Sequence, residues 1–93
     1  MNDLDLNNLR SKINKIDGKI AELLLQRFAV VKDISEYKKA RGLDVLQKNR
    51  EAEVLQNISD KIDKTGLREN QEYKKYIIEI YETILKTSKS SQK

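Results

Sequence analysis

From Asp5 to Arg41 the chain carries one apolar repeat, and the sequence has no proline anywhere to interrupt it. Leu6, Leu9, Ile13, Ile16, Ile20, Leu23 and Leu24 lead into Arg27, Val31, Ile34 and Lys38, in steps of mostly three and four that line up along one stripe of a helix. Gly18 lies off that stripe, where it lowers helix propensity by about 1 kcal/mol relative to alanine without breaking the repeat. Gly42 follows two turns rich in Lys and Arg and suits the left-handed conformation that ends helices. A helix of this length reaches about 55 Å, whereas a compact domain of 93 residues has a radius of gyration of only about 12 Å. The rest of the chain is too short to cover it.

What remains reads as two shorter helices. The second runs from about Gln47 to Lys64, with Glu51, Leu55, Ile58 and Ile62 on one stripe. The third starts near Glu69 or Asn70 and carries Tyr73, Ile77, Ile80, Tyr81 and Ile84 on one side. Continued by fours, its stripe reaches Ser88 and Gln92, although the segment KTSKSSQK reads equally well as a frayed polar tail. The expected architecture is all-α, with one long and two shorter helices per chain in a single domain over residues 1–93. The uncovered stripe must meet another molecule, and an antiparallel homodimer is the simplest closed solution.

Composition narrows the chemistry. Without cysteine or histidine the chain has no Cys or His nucleophile, no imidazole base and almost no route to zinc chemistry. Any reaction must run on Arg, Lys, Glu, Ser, Gln and backbone groups. No basic-then-apolar leader and no membrane-length apolar window is present, which sets a cytoplasmic expectation. The 19 basic and 15 acidic residues are interspersed, and no basic block is interleaved with aromatics, so nucleic acid is not an expected partner.

Three ionised side chains nevertheless stand where the stripes call for apolar ones: Arg27, Lys38 and Glu51. Snorkelling of a long stem explains any one of them alone. Three together, with Ser88 and Gln92 ending another stripe, argue for a polar pocket that receives a charged ligand. Arg27 and Lys38 are about 16 Å apart along the helix with an angular offset of about 20°, so both can reach one small molecule between them. Two cations facing one cavity imply an anion, and Arg grips a carboxylate at two points. The residues themselves lead as far as a small carboxylate-bearing ligand held among helices.

The run LRSKINKIDGKIAELLLQRFAVVKDISEYK, with QKNRE at 47–51 and SKSSQ at 88–92, resembles the all-helical chorismate mutase family over nearly the whole chain. The resemblance places family site positions at Arg10, Arg27, Lys38, Arg50, Glu51, Ser88 and Gln92. The family often has Asp where this chain has Gln47, which is kept as a substrate contact. It implies an intertwined antiparallel homodimer that needs no cofactor or metal and converts chorismate to prephenate by a Claisen rearrangement. In that scheme Arg10, Arg27, Arg50 and Ser88 hold the substrate carboxylates, and Lys38 and Gln92 donate to the ether oxygen. Glu51 accepts from the ring hydroxyl and orients Lys38. Arg10 lies about 25 Å along the helix from Arg27, too far for both to touch one small molecule from the same chain, so the second copy supplies it. Two other readings stand beside this one: an isochorismate pyruvate lyase on the same architecture, and a basic helical module that dimerises without catalysis. The module gives no reason for charges on apolar stripes.

Overall fold

A computed structural model of the chain describes residues 2–44 and 48–92. Three helices, α1 (Asp3–Ala40), α2 (Lys48–Lys64) and α3 (Arg68–Ser91), account for nearly all of them, and no strand occurs among the described residues. The all-helical, three-element expectation is met.

α1 begins two residues before the apolar repeat predicts, because a capping box sits upstream of it. The Asn2 side chain accepts from the Asp5 N–H at 3.0 Å, and the Asp5 carboxylate accepts from the Asn2 N–H at 3.2 Å, which satisfies donors the first turn leaves unpaired. The helix then runs through Gly18 without a break. It ends where expected: Arg41 and Leu43 donate their N–H groups to the Lys38 carbonyl at 3.2 and 2.8 Å, around a Gly42 with φ of 66°. A second left-handed glycine, Gly66 with φ of 68°, separates α2 from α3. There the Thr65 hydroxyl donates to the Ile62 carbonyl at 2.6 Å and the Gly66 N–H donates to the Asp63 carbonyl at 3.1 Å. α3 starts at Arg68, slightly ahead of the expected Glu69 or Asn70. At its other end the polar segment remains helical as far as Ser91, so Ser88 is held in place rather than frayed.

The turn at Gly66 folds α2 back along α3. Ile62 is buried between them, with Val54, Leu55, Ile58 and the small Ser59 half-buried on α2 and Ile77, Ile78, Tyr81, Ile84 and Leu85 half-buried on α3. Next to the turn, Asp63 accepts from the Lys74 ammonium at 2.5 Å and from the Gln71 amide at 2.9 Å, pinning the base of the pair. Tyr73 and Ile80 lie on the side of α3 that the sequence assigns them, but at its uncovered edge. Both are exposed, with Tyr76 beside them, because α3 turns the neighbouring row of Ile77, Tyr81 and Ile84 towards its partners.

Among the described residues α1 comes closest to α3, through its C-terminal half, where Leu24, Arg27 and Phe28 face Ile84 and Ser88. The rest of its stripe is bare. Leu6, Leu9, Ile13, Ile16, Ile20 and Leu23 are all exposed, Leu23 at 61%. The molecule accordingly measures 59 × 26 × 17 Å with a radius of gyration of 17.1 Å, well above the roughly 12 Å of a compact domain of its length. No helix among the described residues is long and apolar enough to cross a membrane.

Candidate active site

The two stripe cations of α1 face the open end of the α2–α3 pair. Arg27 is half-buried, and its Nη1 donates to the Ser88 hydroxyl at 2.5 Å. Ser88 in turn donates to the Ile84 carbonyl at 2.8 Å, one turn back on α3. A serine this buried, with 5% of its surface exposed, is locked in one rotamer by these two bonds and fixes the guanidinium that leans on it. Lys38, three turns further along α1, is half-buried on the same side.

Between these groups lies a cleft of about 330 Å³. Arg27, Val31, Ile34 and Lys38 line it from α1, Arg50 and Glu51 from α2, and Ser88, Lys89 and Gln92 from α3. Val31 and Ile34 form an apolar strip between the two α1 cations, as their spacing predicts. Six of the eight residues singled out from the sequence thus meet at one place: Arg27, Lys38, Arg50, Glu51, Ser88 and Gln92. Arg10 does not line the cleft; it is exposed near the far end of α1. Gln47 lies outside the described residues.

The lining is strongly one-signed. Arg27, Lys38, Arg50 and Lys89 bring positive charge, against the single carboxylate of Glu51. Arg50 is partly engaged on the outer side, where its Nη1 bonds Glu53 at 2.7 Å, but that pair is exposed on both sides and weak enough to exchange for a ligand. Glu51 is placed differently: its Oε1 is sealed from solvent and forms an ion pair with the Lys89 ammonium across the α2–α3 seam. A concave, cation-rich site with one carboxylate and neutral Ser and Gln donors suits a small polyanion that also presents a hydrogen-bond donor.

Sequence reasoning misses Lys89 although a signal for it exists. Tyr81, Leu85 and Lys89 recur by fours, so Lys89 ends an apolar row as Arg27 and Lys38 do. The row running to Ser88 and Gln92 masks the one beside it. Val30, Val54 and Leu85 complete the apolar walls.

Comparison with known proteins agrees with this geometry. The family model described as chorismate mutase type II matches residues 9–93. A chorismate mutase of Methanocaldococcus jannaschii is 31% identical over 88 residues, covering 95% of this chain and 84% of that protein. No solved structure matches. With a family match that reaches all three helices and covers every residue of the cleft, the chain belongs to the type II chorismate mutase family.

Proposed function

We propose that the cleft is the site at which chorismate rearranges to prephenate, in a homodimer with two such sites. The observation that carries this reading is the convergence of Arg27, Lys38, Arg50, Glu51, Ser88 and Gln92, from three helices, on one cavity. The rearrangement breaks the bond between the ether oxygen and the ring as a carbon–carbon bond forms at the other end of the same side chain. No proton is transferred and no nucleophile is used, so a site built from Arg, Lys, Glu, Ser and Gln lacks nothing. Its work is to hold a dianion in a compact, chair-like conformation and to stabilise negative charge as it builds on the ether oxygen.

Arg27, steadied by Ser88, grips one substrate carboxylate, and Arg50 serves the other after releasing Glu53. Lys38 from α1 and Gln92 from the end of α3 donate to the ether oxygen. Glu51 accepts from the ring hydroxyl. Val31 and Ile34 support the ring face and keep water from the breaking bond.

Arg10 enters from the second copy. The bare stripe from Leu6 to Leu23 supports this arrangement, since six exposed large apolar side chains along one helix face call for a partner. An antiparallel pairing of two α1 helices covers that stripe and carries Arg10 of each chain towards the other chain's cleft. The test is direct: the purified dimer is mixed with chorismate, and loss of its ultraviolet absorbance is followed together with identification of the product. Enzyme-dependent formation of prephenate is expected; a folded dimer that leaves chorismate intact rejects the reading.

A further inference from the structure

Glu51 presents a problem that the roles above leave unsolved. A carboxylate next to the binding place of a dianion repels it, and the repulsion is strongest where solvent is excluded. The Oε1 atom of Glu51 is covered and only 32% of the side chain is open to solvent, so water screens its charge only in part. The groups facing Glu51 across the cleft are Arg27 and Lys38 from α1, and Lys89 and Gln92 from α3, with Arg50 beside it on α2. In the proposed chemistry Arg27 and Arg50 are committed to substrate carboxylates and Lys38 to the ether oxygen. Lys89 is the lining cation to which no substrate atom is assigned, and its ammonium forms an ion pair with the covered oxygen.

We infer that Lys89 is a positioning residue of the reaction: the resident counter-ion of Glu51, which cancels its charge towards the incoming dianion and turns its other oxygen to the ring hydroxyl. The inference rests on the proposed chorismate site and adds a residue to it. The location suits the task, because Glu51 lies in the first turn of α2 and Lys89 in the last turn of α3, so each helix end favours the charge placed on it. A lysine there for helix-end electrostatics alone has no need to meet the covered oxygen of a carboxylate on another helix.

The repulsion acts on bound substrate and transition state alike, so its return affects binding and leaves turnover largely intact. Wild type, Lys89→Met, Lys89→Arg, Glu51→Gln and the double variant Lys89→Met/Glu51→Gln are compared in steady-state prephenate formation. Lys89→Met is expected to raise KM about tenfold with kcat changed less than about threefold, and Lys89→Arg to restore most of the affinity. In the Glu51→Gln background, the Lys89→Met change should leave KM unaltered, because the charge it answers is gone. An unchanged KM in Lys89→Met, or an equal rise with and without Glu51, overturns the inference while wild-type activity upholds the site. Wild-type protein that forms no prephenate rejects the site and the role of Lys89 together. Should Lys89→Met not fold, Lys89→Gln takes its place in the same cycle.

Discussion

At the scale of single residues, the site depends on side chains that break the local hydrophobic rule and are then held in place by a second group. Ser88 shows how. Its hydroxyl accepts from Arg27 and donates to the Ile84 carbonyl, so Ser88→Ala removes the seat of the guanidinium without opening a cavity of any size. A hydrogen bond to a charged group contributes about 1.5–3 kcal/mol, so chorismate KM should rise about tenfold or more in Ser88→Ala, with helix content by circular dichroism unchanged. Lys38 has a different part in the proposed chemistry, donating to an atom that becomes charged only as the ether bond stretches. Lys38→Ala should therefore lower kcat by about a thousandfold while KM moves little, as measured by steady-state kinetics on a variant that still dimerises. Lys38 is legible from spacing, because a charged side chain at an apolar position is conspicuous, whereas spacing leaves Ser88 equally readable as part of a frayed tail. Lys89 is not legible in this way, since its row overlaps one already assigned to Ser88 and Gln92. Nor does spacing show that Arg50 bonds outward to Glu53, a contact decided by rotamers.

The helices themselves follow from rules of different reach. Periodicity locates all three, and the two left-handed glycines mark where α1 and α2 stop. Periodicity is silent about residues before the first apolar one, which is why the Asn2–Asp5 capping box places the start of α1 earlier than the stripe does. It also cannot choose between adjacent faces of α3, where Tyr73 and Ile80 compete with Ile77 and Tyr81 for the buried side. The base of the α2–α3 pair supplies a test at this scale. The Lys74 ammonium, helped by the Gln71 amide, holds the Asp63 carboxyl below its ordinary value. A carboxyl with a lowered folded-state value contributes stability above the ordinary carboxylate range and loses it as pH falls through the lowered value. Asp63→Asn should therefore melt below wild type at neutral pH, and the two melting curves should converge in acid, as thermal denaturation at a series of pH values would show. Equal gaps at every pH would mean that shape, not charge, holds this corner.

The whole molecule is a rod of 59 × 26 × 17 Å with a bare apolar face on its longest element, and helix length alone anticipates that shape. What length does not specify is which residue of a second chain fills which place. The proposed shared site makes a numerical prediction: random exchange between Arg10→Ala and Lys38→Ala chains makes half of the dimers mixed, each with one intact site of two, so about a quarter of wild-type activity should return. Neither variant alone should approach it, and mixing followed by size-exclusion chromatography and a chorismate assay reads the result. The unbroken run of α1 through Gly18 also bears on how such a protein can change over time. If Arg10 serves one cleft and Arg27 another, α1 is a ruler whose graduations are helical turns. One residue inserted after Gly18 would swing Arg10 by about 100° around the axis and send it away from its target. Seven inserted residues restore the bearing to within about 20° but push the arginine about 10 Å too far. Neither insertion should preserve activity, even in a chain that still folds and pairs, and assaying both would show it. On that arrangement substitutions can accumulate along this helix, whereas changes in its length between those two arginines cannot.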